Sequence, residues 1–262
     1  REQNMKVVRT VSNQSAPATA TSKASETSVQ GINRLTTAEV YEQLRRKILD
    51  HSIPPATKVN IHHISQEFGV SPTPVREALR LLQGDNLLVA TSNKGYATTP
   101  ILTLAGVRDL YEFRLLLEPW AARMAASDRL SNPARALQTE LKRFDATADA
   151  MQHNLIDHDS RFHNAILDST GNQTVVQAFR QSHCHMHLFR IYSLDWPWQA
   201  TIEEHEQIAR YIVDADSVGA EEAMRSHLIA AYERFSLTLA EKNPDSVTLR
   251  DPGPTHLVIG SQ

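Results

Sequence analysis

Cysteine is nearly absent. Cys184 stands alone in 262 residues, which excludes an intrachain disulfide framework and fits a reducing cytoplasm. Long apolar runs are missing too. No stretch approaches the ~18 residues a membrane helix needs, and the first residues lack the apolar core of a secretion signal. A cytoplasmic protein with no membrane partner is therefore expected. Charge of one sign is also lacking. The formal net charge of -3 by itself favours neither a nucleic-acid binder nor an enzyme for acidic substrates. Between Ser12 and Gly31, Val29 is the one bulky apolar side chain. Such a segment cannot bury enough surface to order itself, so residues 1–34 read as a flexible tail.

What remains is a chain that is 41 % apolar, enough for a sizeable core. Its charge is unevenly placed. Basic residues lead acidic ones 5 to 2 over residues 1–35 and 7 to 6 over residues 36–100, whereas acidic residues lead 20 to 14 over residues 101–242. A DNA-facing end joined to an acidic ligand-binding body has this distribution.

Residues 35–100 read as three helices and a hairpin. Thr36 or Thr37 caps a first helix with Val40, Leu44 and Ile48 at helical spacing, and Ile53-Pro54-Pro55 ends it. A short helix runs from Ile61 to Phe68, and Gly69 sits where a left-handed residue closes it. Ser71 caps a third helix with Pro72 at its first position. Val75, Ala78, Leu79 and Leu82 form its apolar face. Leu87 to Ala90 and Tyr96 to Thr98 then flank a polar turn at Ser92-Asn93-Lys94-Gly95, a hairpin pattern. Together these predict a winged helix-turn-helix. Reading DNA needs a helix in the major groove with side chains that reach base edges. Arg76 and Arg80 are four apart and lie off the apolar face. Ser71, Thr73 and the free N–H groups of the helix start suit phosphates, and Lys94 and Gly95 at the wing tip can approach the backbone or minor groove. One such helix reads about half a site, so a homodimer on palindromic double-stranded DNA is expected.

Residues 101–242 are helical throughout. Six segments are predicted, about 103–127, 132–151, 153–169, 173–194, 198–215 and 217–241, separated at Asn132-Pro133, Gly171-Asn172, Trp196-Pro197 and Asp216-Ser217. The fold class is therefore mainly α, with a winged helix-turn-helix followed by an all-α effector bundle. Residues 243–262 read as a loose tail. Within the bundle, Asp159 and His163 share one helix face, while His205 and His227 sit in the middle of two other helices. One carboxylate and three imidazoles suit Zn²⁺, Ni²⁺ or another divalent transition ion, with positions left for a ligand. His183, His185 and His187 form a rival cluster, although alternating residues do not converge on a helix. Two other function classes stay open. One is a repressor that senses the ion itself, and the other is a metallohydrolase fused to a DNA-binding block.

The run Ser71-Pro72-Thr73-Pro74-Val75-Arg76-Glu77-Ala78-Leu79-Arg80-Leu81-Leu82, with Asn93-Lys94-Gly95-Tyr96 later, resembles the GntR family of repressors over about residues 36–100. The resemblance implies DNA contacts from Ser71, Thr73, Arg76, Arg80 and Gly95. Pro72 stands where many members carry an arginine. Residues 102–242 resemble the FCD effector domain of the FadR-type branch. The resemblance is carried by Tyr111-Glu112-Phe113-Arg114-Leu115-Leu116-Leu117-Glu118, Asp159-Ser160-Arg161-Phe162-His163, Gly171-Asn172, Glu204-His205 and Arg225-Ser226-His227-Leu228. It implies that Asp159, His163, His205 and His227 hold a metal at the floor of a cavity. A small organic acid is then the expected effector, clamped by Arg114 or Arg190, with Asn172 as a further contact.

Overall fold

Thr36 opens α1 (Thr37–Leu49) with a reciprocal cap, its hydroxyl accepting from the Glu39 amide while the Glu39 carboxylate accepts from the Thr36 amide. The structure, a computed structural model, describes residues 35–91, 95–144, 151–191, 198–240 and 248–253. After α1 come α2 (Ile61–Glu67) and α3 (Pro72–Gly84). Val40, Leu44 and Ile48 of α1 and Val75, Leu79 and Leu82 of α3 are all buried in one core.

The wing has three strands rather than the expected two. β1 (Lys58–Val59), β2 (Leu88–Ala90) and β3 (Tyr96–Thr98) form an antiparallel sheet in the order β1-β3-β2. Lys58 faces Ala97 and Leu88 faces Thr98. A two-residue strand carries no periodicity of its own. It forms because the Thr98 hydroxyl, itself buried, donates to the Pro54 carbonyl at 2.6 Å and accepts from the Thr57 amide at 2.9 Å.

The second part contains α4 (Leu104–Ser127), α5 (Ala134–Arg143), α6 (Met151–Ser169), α7 (Gln173–Ser182), α8 (Cys184–Phe189), α9 (Trp198–Val213) and α10 (Ser217–Ala240). α4 and α10 lie together along the bundle, with Tyr111 meeting Tyr232 and Phe235 at ring-centroid distances of 5.7 and 6.0 Å. The helix expected over 173–194 is broken. His183 adopts a left-handed conformation (φ 47°) and divides α7 from α8. The break re-aims α8 relative to α7, and within α8 His187 stays beside His183 and Arg190, its amide donating to the His183 carbonyl at 3.2 Å.

The segment expected to be a loose tail is partly docked. Leu249 packs on the bundle core, Arg250 grips Glu112 with two bonds of 2.9 and 2.8 Å, and Asp251 accepts from the buried Arg225 at 2.5 Å. The tail expected over residues 1–34 lies outside the described residues. Bundle residues also reach the DNA-binding head: Ile156 of α6 and Phe189 of α8 are buried members of its core.

Candidate functional site

The exposed side of α3 carries the groups expected to meet DNA. Ser71, Thr73, Arg76 and Arg80 are exposed, while Val75, Ala78, Leu79 and Leu82 between them are buried. Ser71 holds the N-cap position, but its hydroxyl makes no capping bond. That hydroxyl and the first N–H groups of the helix therefore stay available to a phosphate. Neither Arg76 nor Arg80 forms an ion pair among the described residues. Glu77 is turned toward α1, where it accepts from the Thr37 hydroxyl at 2.9 Å. Gly95 closes the wing by accepting from the Thr91 amide at 2.9 Å, and a Cβ there would come within 3.1 Å of the Thr91 hydroxyl. Lys94 lies outside the described residues.

In the bundle, α6, α9 and α10 bring Asp159, His163, His205 and His227 together, with one donor atom from each lying within 4.8 Å of the others. Asp159 Oδ1 is 3.5 Å from both His163 Nε2 and His205 Nε2. Tetrahedral bonds of ~2.0–2.1 Å set neighbouring donors roughly 3.4 Å apart, so these spacings suit a transition ion. All three histidines are buried, and His205 Nε2 has no hydrogen-bond partner among the described residues. A buried polar nitrogen without a partner is costly, and an ion at this point would satisfy it.

Each ligand is held from behind. His163 Nδ1 meets Glu118, which is paired with Arg114 at 2.5 and 3.3 Å. His227 Nδ1 meets Glu204 at 2.7 Å, and Arg234 grips that carboxylate at 2.7 and 2.8 Å. His205 Nδ1 meets His158 Nε2 at 3.0 Å, His158 Nδ1 meets Glu140 at 3.2 Å, and Arg161 grips Glu140 with two bonds of 2.9 Å. Each imidazole is thus backed through Nδ1, which orients the ring and presents Nε2 to the common point. Asp159 is anchored likewise, its Oδ2 lying 2.6 Å from His185 Nδ1.

Protonation follows the same geometry. Burial, reinforced by His227 and His163, holds His205 well below the ordinary imidazole range, and burial lowers His227 as well. Both therefore keep Nε2 lone pairs free at neutral pH. Burial works to raise the Asp159 carboxyl, yet His163 and His185 outweigh it and hold the group well below the usual range. Burial opposes ionisation of Glu118 too, and Arg114 with His163 overcomes it.

A cavity of about 10 Å³ adjoins the ligands, room for about one water. Its walls include Arg114, Tyr111, Thr201 and His185. Arg114 thus stands where it was expected, buried, with Nη2 3.4 Å from His163 Nε2 and its guanidinium over the Tyr111 ring. Two expected effector contacts lie elsewhere. Arg190 is buried but donates to the Thr99 hydroxyl and carbonyl, both at 2.6 Å, because the break at His183 turns α8 toward the DNA-binding head. Asn172 is exposed and caps α7, accepting from the Val175 amide at 3.3 Å. Of the rival cluster, only His185 reaches the centre. His158 and the backing roles of His185 and Glu204 escaped the sequence, since His158 lies in no ligand pattern and the pattern around His185 points to a different cluster. Glu204 does adjoin His205 in the chain.

Comparison with known proteins fits this division. Residues 36–97 match the family described as "Bacterial regulatory proteins, gntR family", and residues 109–230 match the FCD domain. The chain is 26% identical over 210 residues to the uncharacterized HTH-type transcriptional regulator YdhC of Bacillus subtilis (strain 168), covering 78% of this chain and 92% of the relative. It is 26% identical over 193 residues to the HTH-type transcriptional repressor RspR of Escherichia coli (strain K12), covering 72% of this chain and 84% of the relative. The solved structure of E. coli McbR/YncC superposes with a TM-score of 0.61 at 18% identity, covering 79% of this chain and 98% of that one, and so shares the fold. These relatives are transcriptional regulators rather than enzymes, and the metallohydrolase alternative falls away with them.

Proposed function

As the chain belongs to the GntR family of DNA-binding transcriptional regulators and carries an FCD domain, we propose that it is an organic-acid-responsive repressor. In this reading a homodimer grips a palindromic operator through Ser71, Thr73, Arg76, Arg80 and the wing at Lys94 and Gly95. Asp159, His163, His205 and His227 hold Zn²⁺ or Ni²⁺. When bound, the ion supplies a Lewis-acid docking point for carboxylate oxygens. The buried Arg114 beside it offers the charge-assisted bonds that would fix the acid. The observation that carries the reading is the convergence of four donors, each backed by its own partner, next to a buried guanidinium. The name of RspR supports the repressor assignment.

A second reading has one observation in its favour. A cavity of about 10 Å³ admits a water but no acid, as a repressor that senses the ion alone would need. One experiment separates the two. The protein is stripped with a chelator and reloaded with Zn²⁺ or Ni²⁺, and its affinity for a duplex selected from random DNA is measured with and without acetate, lactate or succinate. The acid reading expects a change in affinity only when ion and acid are both present. A change on metal loading alone, with no acid effect, overturns it in favour of ion sensing.

A further inference from the structure

An acid cannot enter a cavity of about 10 Å³ unless a wall yields. Most of the walls belong to long packed helices: Tyr111 and Arg114 on α4, Ile156 and Asp159 on α6, Thr201 on α9, and His227 and Ala231 on α10. The remaining wall, with His185 and Leu188, is α8, which differs from them in three ways. It is only six residues long. It starts at His183, whose left-handed backbone (φ 47°) is strained for a residue with a Cβ. And behind it, away from the metal ligands, lies a second cavity of about 560 Å³, bounded by Tyr41 and Arg45 of α1, Asp157 and Asn164 of α6 and Phe179 of α7. His185 borders both cavities.

The same short helix touches both ends of the regulator. His185 holds Asp159 Oδ2 at 2.6 Å. Phe189 is buried in the core of the DNA-binding head, and Met186 packs against that core. Arg190, just past the helix, clamps Thr99 in the link between β3 and α4. The larger cavity lies between α1 of the head and α6 to α8 of the bundle, with Arg45 and Asp157 facing each other at 3.7 Å.

We propose that α8 is the element that couples the receptor site to the DNA-binding head. An acid taken up beside the metal ligands displaces His185 and Leu188 toward the 560 Å³ cavity, and Phe189 and Arg190 carry the displacement to the head. His185 is the positioning residue of this device, because its hydrogen bond to Asp159 ties the seat of α8 to the state of the site. The two seats of α8, against the ligands and back into the larger cavity, are the two states between which an acid must discriminate. The inference rests on the acid-responsive reading given above.

The test uses the full chain loaded with Zn²⁺, with acetate, lactate and succinate as probes. Acid binding is followed by calorimetry and operator affinity by fluorescence anisotropy. In the unmodified protein, the acid that binds should change operator affinity by about 5- to 150-fold, the usual span of allosteric coupling. Arg190→Gln should bring that ratio below about 2-fold, while Thr99→Val, which keeps the carbonyl bond, should reduce it part of the way. Acid affinity and Zn²⁺ content should stay unchanged in both. Hydrogen exchange on the unmodified protein gives a readout that needs no variant: amides of residues 184–190 should change protection on acid binding. If acid binds but exchange over 184–190 is unaltered, or both variants keep the full ratio, α8 is not the coupling element and the acid-responsive reading still stands. If no probe binds the Zn²⁺-loaded protein, that reading fails and this inference fails with it.

Discussion

Replacing Glu118 by Gln tests whether Arg114 is held in place as a receptor group at a cost in robustness. The two side chains are 2 % and 1 % exposed, and Glu118 also backs His163. Removing its charge leaves a guanidinium buried without a counter-ion, a change that typically costs about 3–5 kcal/mol. For a domain of this size each kcal/mol lowers Tm by about 2–4 °C, so Glu118→Gln should melt roughly 6–20 °C lower. The assay is urea and thermal denaturation of chelator-treated protein, so that no bound ion contributes. The paired change Arg114→Met with Glu118→Leu removes both charges and should bring stability back to within about 1–2 kcal/mol of the unmodified protein, since a buried ion pair rarely outperforms packed apolar groups of similar volume. The same pair should lose acid binding altogether. A Glu118→Gln protein destabilised by less than about 1 kcal/mol would refute the reasoning, as would a double variant weaker than the single one. Either result would mean that the Arg114 charge finds another counter-ion or reaches water.

Two further predictions follow from other parts of the molecule. Arg76→Ala should weaken operator binding by about 1–3 kcal/mol, roughly 5- to 150-fold, the worth of a bidentate base contact, while leaving metal content unchanged by elemental analysis. A parallel loss of metal would mean that α3 and the metal ligands are not independent. His187, half-buried in α8, is pushed down to about 4 by burial, with Arg190 and His183 adding to the effect. Its folded value lies below its ordinary 6.5, so the stability tied to the neutral ring is complete above pH 6.5 and is lost as pH falls toward 4. His187→Gln should flatten that loss by on the order of 1 kcal/mol at pH 4.5, allowing for partial solvation. The check is the difference in urea midpoint between the two proteins across this range, and a constant difference would dismiss the assignment.

The tight cavity explains why function and stability pull apart in this bundle. His163, His205 and His227 are buried, and each draws in a carboxylate and an arginine behind it. Three such chains converge on one point, beside a cavity of about 10 Å³ that Asp159 and His227 help to line. Polar groups this deep are acceptable only when nearly all are satisfied. The outer carboxylates and arginines are thus as necessary to the centre as the four donors, and substitutions at Glu140 or Glu204 should act on metal affinity as well as on folding.

Local features of the chain determined the helices, their caps and the chemistry of the principal donors. Helical spacing put Asp159 and His163 on one face of α6, and alternation of buried and exposed positions put Arg76 and Arg80 on the outside of α3. Thr36, Ser71 and Asn172 each stand at the head of a helix for reasons that a few neighbouring residues decide. These patterns are legible because they depend on contacts within about one helical turn. Tertiary structure alone decided the rest. It turned Arg190 away from the effector cavity and onto Thr99, left Asn172 outside that cavity, and added β1 to the wing. It also drew His158, the neighbour of Asp159 in the chain, behind His205, and His185 behind Asp159. The physical reason is common to all of these. Periodicity says which face a residue occupies, but which faces meet depends on how helices distant in sequence pack, and one strained residue, His183, re-aimed everything on α8.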